Sequence, residues 1–147
     1  MEQHHRQRWM SVLAKAQPKD LEVLWDNLPQ KPGWRTLRRP EVGMVMVRGR
    51  AGGTGVRFNL GEMTVTRCTV RLDNGMTGHG YVSGRDKRHA ELSAVVDAMM
   101  QGPDSREDVC DGIVEPLCKM HDDARQAAAV KAGATKVDFF TVVRGED

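Results

Sequence analysis

Cysteine, aromatic residues and long apolar runs are all scarce in this 147-residue chain. There are three cysteines, Cys68, Cys110 and Cys118. They form no CxxC pair, and an odd number does not make a disulfide framework, so a reducing compartment is the simpler expectation. No apolar run is long enough to span a bilayer. The basic start, His4, His5, Arg6 and Arg8, is not followed by the apolar core of a signal peptide. Aromatic residues make up 5% and the formal net charge is only +2, too mild a balance to argue for nucleic-acid binding. No internal repeat or low-complexity segment occurs. With 39% apolar and 29% charged residues, the composition is that of one ordinary globular domain, 1–147, with enough chain to bury a core.

Periodicity divides that domain in two. From about His4 to Ala16, Trp9, Val12, Leu13 and Ala16 recur at helical spacing. Leu21, Leu24, Trp25 and Leu28 make a second i, i+3, i+4, i+7 stripe, ended by Pro29, Pro32 and Gly33. Residues 1–32 are therefore a helical hairpin packed on its own domain, or a docking arm whose two tryptophans suit a partner's groove. The remainder, 33–147, reads as an α+β body. Strands are expected at Met44–Arg50, Thr64–Leu72 and Thr77–Val82, the last two joined by an Asn74-Gly75 turn. Asp86 to Gln101 reads as a helix with Leu92, Val95, Val96 and Met99 inward, stopped by Gly102-Pro103. Helix is again expected from Ser105 to Ala132, restarting at Pro116. The terminal run Val137–Val143, VDFFTVV, is apolar on both faces and reads as a central strand. The expected fold is α+β: an N-terminal helical hairpin, a mostly antiparallel sheet including that C-terminal strand, and two or three packing helices.

Two constellations have the composition of an anion site. In Arg50-Ala51-Gly52-Gly53-Thr54-Gly55-Val56-Arg57, Gly52, Gly53 and Gly55 let backbone N–H groups converge, and Arg50 and Arg57 are of the type that pairs with phosphate or phosphonate oxygens. The run lacks the GK[ST] ending of a Walker loop and the spacing of a dinucleotide fingerprint, so a plain connecting loop is the alternative. Around the helix start at Asp86, Arg85, Lys87, Arg88 and His89 add donors to a helix N-terminus, although Asp86 itself opposes an anion, and His89 near the apolar stripe also reads as a structural histidine. A third candidate is a basic sheet face: if the faces coincide, Arg48, Arg50, Arg67 and Arg71 line one surface. Cys110, Cys118 and His121 would meet only on an uninterrupted helix, against which Pro116 argues, so no metal site is expected. No Ser/His/Asp order or carboxylate pair stands out.

Several of these segments together resemble the PhnG family of the carbon–phosphorus lyase system. They are Gln7-Arg8-Trp9-Met10-Ser11-Val12-Leu13-Ala14, the GGTG run ending in Arg57-Phe58, Val65-Thr66-Arg67 through Val70-Arg71-Leu72, Gly84-Arg85-Asp86-Lys87 with His89-Ala90-Glu91, and Val137-Asp138-Phe139-Phe140-Thr141 through Val143-Arg144-Gly145. The resemblance runs in order along almost the whole chain and is least distinctive from Gly102 to Lys136. It implies a cytoplasmic phosphonate-catabolising complex with PhnH-, PhnI- and PhnJ-like subunits, joined by PhnL-like and PhnK-like ATPase subunits, and no nucleic-acid or membrane partner. It further implies that ATP is a substrate of the complex, that this chain alone binds no cofactor, and that its main role is assembly. Under that reading Arg50, Gly52, Gly53, Gly55, Arg57, Arg85, Arg88 and His89 are anion-binding or interface residues, and no catalytic residue is assigned. A stand-alone anion- or nucleotide-binding module is the alternative.

Overall fold

The computed structural model describes residues 2–50 and 57–146, with side chains described for 3–47 and 61–132. Two helices open the chain, α1 (Glu2–Lys15) and α2 (Pro18–Asp26). Three strands follow, β1 (Trp34–Arg50), β2 (Arg57–Leu72) and β3 (Thr77–Ser83), all antiparallel in the order β1-β2-β3. The rest is helical: α3 (Lys87–Gln101), a short α4 (Arg106–Val109), a π-helical turn (Cys110–Val114) and α5 (Glu115–Glu146). The class is α+β.

α3 is the centre of the molecule. A helix apolar on one stripe sits on a surface, whereas one apolar all round is enclosed. Every residue from Leu92 to Met100 is buried, well beyond the single stripe read from periodicity. The sheet covers one side and α1 and α2 cover the other, with Trp9, Leu13, Leu21, Trp25 and Leu28 joining the same core. Each large apolar side chain so enclosed contributes roughly 1.5–3 kcal/mol. The two N-terminal tryptophans are 5% and 3% exposed, so both helices are packed on their own domain. Trp25 also meets Trp34 edge-on, with ring centroids 5.7 Å apart.

The sheet approaches α3 very closely at Gly78 and Gly80 of β3. A Cβ at Gly78 would collide with the Ala94 carbonyl and Ala98, and one at Gly80 with the Ala90 carbonyl. Two glycines on the strand thus face Ala90, Ala94 and Ala98, three small residues one turn apart, and strand backbone lies against helix backbone.

The strands are longer than their sequence signals. Pro40 reads as a boundary, yet β1 begins at Trp34 and passes through it. The β1–β2 register slips between Arg38 and Glu41, leaving Arg39 and Pro40 out of the pairing. β1 is an edge strand, where a missing N–H costs nothing. Between β2 and β3, Gly75 donates its N–H to Leu72 over 2.9 Å and takes φ +96°, while among the described residues none other than glycine has positive φ. The turn is a type I turn closed by a left-handed glycine, and Asn74 instead accepts the Met76 N–H with its side chain at 2.9 Å.

The predicted strand at 137–143 is helical, and this corrects the sheet. Its β-branched and aromatic residues favour strands only weakly. They follow an unbroken helix rich in alanine (Ala127, Ala128, Ala129, Ala132), which propagates at little cost once nucleated. Pro116 does sit in the first turn of a restarted α-helix. What precedes it is not a break but the π turn, in which Glu115 donates to Cys110.

Candidate functional site

The hairpin of β1 and β2 continues past β3. Pairing with β3 stops at Val65–Ser83, while β1 and β2 stay paired out to Arg50–Arg57. Gly52, Gly53 and Gly55 lie outside the described residues, as do the side chains of Arg50 and Arg57. The paired backbone places Arg50 and Arg57 opposite each other at the far end of this ribbon. From Val65, beside the helix start, to Arg57 is about 25 Å of strand. The glycine-rich stretch and the α3 start are therefore separate places, not two walls of one pocket.

At the helix start, chain-internal partners already hold most of the candidate residues. Gly84 takes φ +94°, receives a hydrogen bond from the buried Thr66 hydroxyl on its carbonyl at 2.7 Å, and donates its N–H to Thr64 at 2.9 Å. Asp86 caps α3, its carboxylate accepting the His89 N–H at 2.9 Å. That N–H is one of the donors an anion would use. Arg88 pairs with Glu22 of α2 and Glu91 of α3, both at 3.4 Å. His89 is 3% exposed, and its Nε2–H donates to the Leu13 carbonyl at 2.8 Å, fastening α3 to the end of α1. A carbonyl only accepts, so Nε2 carries the proton. Arg85 and Lys87 are the exposed residues of the set with no hydrogen bond or ion pair among the described residues.

The most connected polar group was not legible as a site. Asp97 of α3 is fully buried. Its carboxylate accepts Arg6 Nε at 3.2 Å and Nη2 at 3.0 Å, Trp9 Nε1 at 2.8 Å, the His79 backbone N–H at 2.9 Å and Gln101 Nε2 at 3.3 Å. A buried charge persists only when paired and hydrogen-bonded, and here α1, α3 and β3 all contribute donors. Donating to the Asp97 carboxylate holds the Arg6 guanidinium protonated still more firmly than usual. Trp9 receives Arg106 over its ring at 5.5 Å. One signal existed in the sequence: an aspartate inside the otherwise apolar run Ala94–Met100 has to find partners.

The basic face also differs from expectation. Arg48 and Arg50 are paired with Asn59 and Arg57 at the ribbon end, far from Arg67 and Arg71. Arg71 is instead opposite Arg35, Thr69 opposite Arg38, and Arg67 opposite Glu41. β3 completes these rungs with Thr77, His79 and Tyr81. The helices occupy the other side of the sheet, so Arg35, Arg38, Arg67 and Arg71 stand exposed on the outer side. Arg35 and Arg38 were missed because only the register, with its slip between Thr36 and Arg38, brings both to one side.

The thiols are quiet. Burial pushes Cys68 up to about 11, with the Glu91 charge adding to it, and burial likewise raises Cys110 and Cys118. Among the described residues no cluster of His, Cys, Asp and Glu has the arrangement of a metal site, and no helix is long and apolar enough to cross a membrane.

Comparison with known proteins adds what geometry alone does not. A sequence profile described as phosphonate metabolism protein PhnG matches residues 4–145. A relative from Rhizobium meliloti (strain 1021), alpha-D-ribose 1-methylphosphonate 5-triphosphate synthase subunit PhnG, is 45% identical over 142 residues, covering 97% of this chain and 90% of the relative. The match takes in α1 with its Arg6 and Trp9, the three strands and the whole of α3, and the chain belongs to the PhnG family of phosphonate metabolism proteins.

Proposed function

We infer that this chain is a subunit of the complex that makes alpha-D-ribose 1-methylphosphonate 5-triphosphate from ATP and methylphosphonate, and that its part is assembly rather than catalysis. In that reaction a phosphonate oxygen forms a bond to the ribose C1′, the C1′–N bond to adenine breaks, and the departing base takes up a proton. The supporting observation for the activity is the name of the relative, matched over 97% of the chain.

Support for an assembly role comes from how side chains are used. Acid chemistry at the leaving base needs an accessible proton donor. His89, the histidine best placed by sequence, is buried and bonded to Leu13, and Arg88 is bonded to two carboxylates. By contrast Met44, Met46 and Met63 stand exposed on the part of the β1–β2 ribbon beyond β3, Met44 at 60%, with Val42 exposed beside them on a rung that β3 still shares. Apolar side chains gathered on a two-stranded projection are the mark of a chain that is not complete alone. PhnH-, PhnI- and PhnJ-like subunits are the expected companions, with PhnL- and PhnK-like ATPases, in the cytoplasm.

Co-expression with those companions and purification through this chain tests the reading. Retention of the three core subunits supports it; a chain purified without any of them overturns it. The competing reading, a stand-alone nucleotide- or anion-binding module, predicts tight ATP binding by the isolated chain, measurable by calorimetry. Arg57→Ala and Arg85→Ala in the assembled complex separate assembly from catalysis. Normal assembly with lost turnover would give this chain a part in the active site.

A further inference from the structure

We propose that the outer side of the sheet is a docking surface for an acidic face of a partner subunit, with Arg35, Arg38, Arg67 and Arg71 as its contacts. This rests on the assembly reading above. Three rungs carry the argument. Arg35, Arg71 and Thr77 form the first; Arg38, Thr69 and His79 the second; Glu41, Arg67 and Tyr81 the third. The distance from Arg71 to Arg67 along β2 is about 13 Å. All four arginines are exposed, and none makes a hydrogen bond or ion pair among the described residues. Arg35 directly opposite Arg71 is a like-charge cross-strand pair, an arrangement that destabilises a sheet unless something outside neutralises it. The carboxylates named on this surface are Glu41 on the third rung and Asp73 beside Arg35 and Arg71, so the four arginines outnumber them.

Arginine is the residue that interfaces favour, through its flat, weakly hydrated fork that takes a carboxylate bidentately. An acidic protein face suits the geometry better than a small anion. A phosphate requires donors converging on one point, whereas these are strung along a strand. Where Arg35 and Arg71 do share a hollow, with Leu72 and Gly75, Asp73 shares it too and repels a phosphate. A protein face can present carboxylates to the arginines and a cation or hydroxyl to Asp73 and Glu41 at once.

The test uses the full chain co-expressed with its companion subunits. Arg35→Glu/Arg71→Glu is expected to keep the wild-type melting curve, since both residues are exposed, and to lower partner retention by about tenfold or more. Retention by the wild type is expected to weaken with added salt. If the double variant melts early, Arg38→Glu, opposite Thr69, repeats the test on a neutral rung. Wild-type retention in charge-reversed chains that fold overturns the proposal while leaving the assembly reading intact. So does binding of tripolyphosphate or a DNA duplex that Arg35→Glu/Arg71→Glu abolishes without any effect on retention. A wild-type chain that retains no companion overturns the assembly reading and this surface with it.

Discussion

Trp9 donates its indole N–H to the carboxylate of Asp97 across 2.8 Å, joining the first helix to the third at the one fully buried charge of the described core. The bond adds to the His89–Leu13 contact in holding α1 on α3. The apolar contacts of α1 with α3 centre on Trp9 and Leu13, and the Arg6–Asp97 pair sits one turn before Trp9. Asp97 also takes the N–H of His79 and so ties β3 to the same point.

Asp97→Ala is therefore expected to be severe. It leaves the Trp9 N–H and the His79 N–H without their acceptor, at about 1–3 kcal/mol for each such buried donor, and releases the half-exposed Arg6 guanidinium as well. Trp9→Phe keeps the ring volume and removes one hydrogen bond, for about 1–3 kcal/mol. Urea unfolding followed by circular dichroism measures both. Equal losses for the two variants would show that Asp97 matters through Trp9 alone.

The close approach of β3 to α3 gives a second expectation. Gly80→Ala puts a methyl group into the Ala90 carbonyl, and neither backbone has room to yield. Overpacking of this kind costs about 1–3 kcal/mol or more, and the thermal midpoint should fall by several degrees. Gly43→Ala is the control. It also lies in a strand, but nothing stands within 4 Å of its added Cβ, so its midpoint should stay close to wild type.

These two features show where sequence was and was not enough. α3, its Asp86 cap and its Gly102 stop were legible because local rules suffice: a cap residue, a helical period and a breaker. The Gly78/Gly80 contact was not, since it needs the knowledge that β3 lies under Ala90, Ala94 and Ala98. For the same reason the basic face was assigned to Arg48 and Arg50 rather than Arg35 and Arg38. Alternation gives the face within a regular strand, but cross-strand partners depend on register, and slips on both sides of Arg38 reset it. The run at 137–143 failed differently. A strand propensity was read locally, and the continuing helix overrode it.

Cys68 leads to a prediction in pH. Its thiol is pushed up from 9.0 to about 11 in the folded chain, chiefly by burial and then by the Glu91 charge. Between pH 9 and 11 the unfolded chain has lost the thiol proton that the folded chain keeps. The unfolded state binds fewer protons there, so stability falls as pH rises through that window; below pH 9 this contribution is fully present. At pH 8 the native Cys68 should resist a thiol reagent and react once urea unfolds the chain. A Cys68→Ser chain should lose less stability between pH 9 and 11 than wild type. Fast native-state labelling at pH 8, located by mass spectrometry at Cys68, would contradict the burial argument.

The helix start yields the sharpest contrast among residues that look alike in sequence. His89→Ala removes the Nε2–H donor to the Leu13 carbonyl and opens space beneath α1, and losing such a buried partner costs about 1–3 kcal/mol before any cavity cost. Arg88→Ala breaks two exposed ion pairs, at 3.4 Å to Glu22 and Glu91, and should cost about 0–1 kcal/mol. Arg85 holds nothing within the described chain, so Arg85→Ala should leave unfolding untouched. Measured side by side in denaturant, the three should therefore rank His89 far above Arg88, with Arg85 near zero. Partner retention and turnover in the assembled complex should be read on Arg85→Ala, where folding does not confound them. If His89→Ala unfolds like wild type and instead abolishes turnover, His89 works as a chemical group rather than as the fastening between α1 and α3.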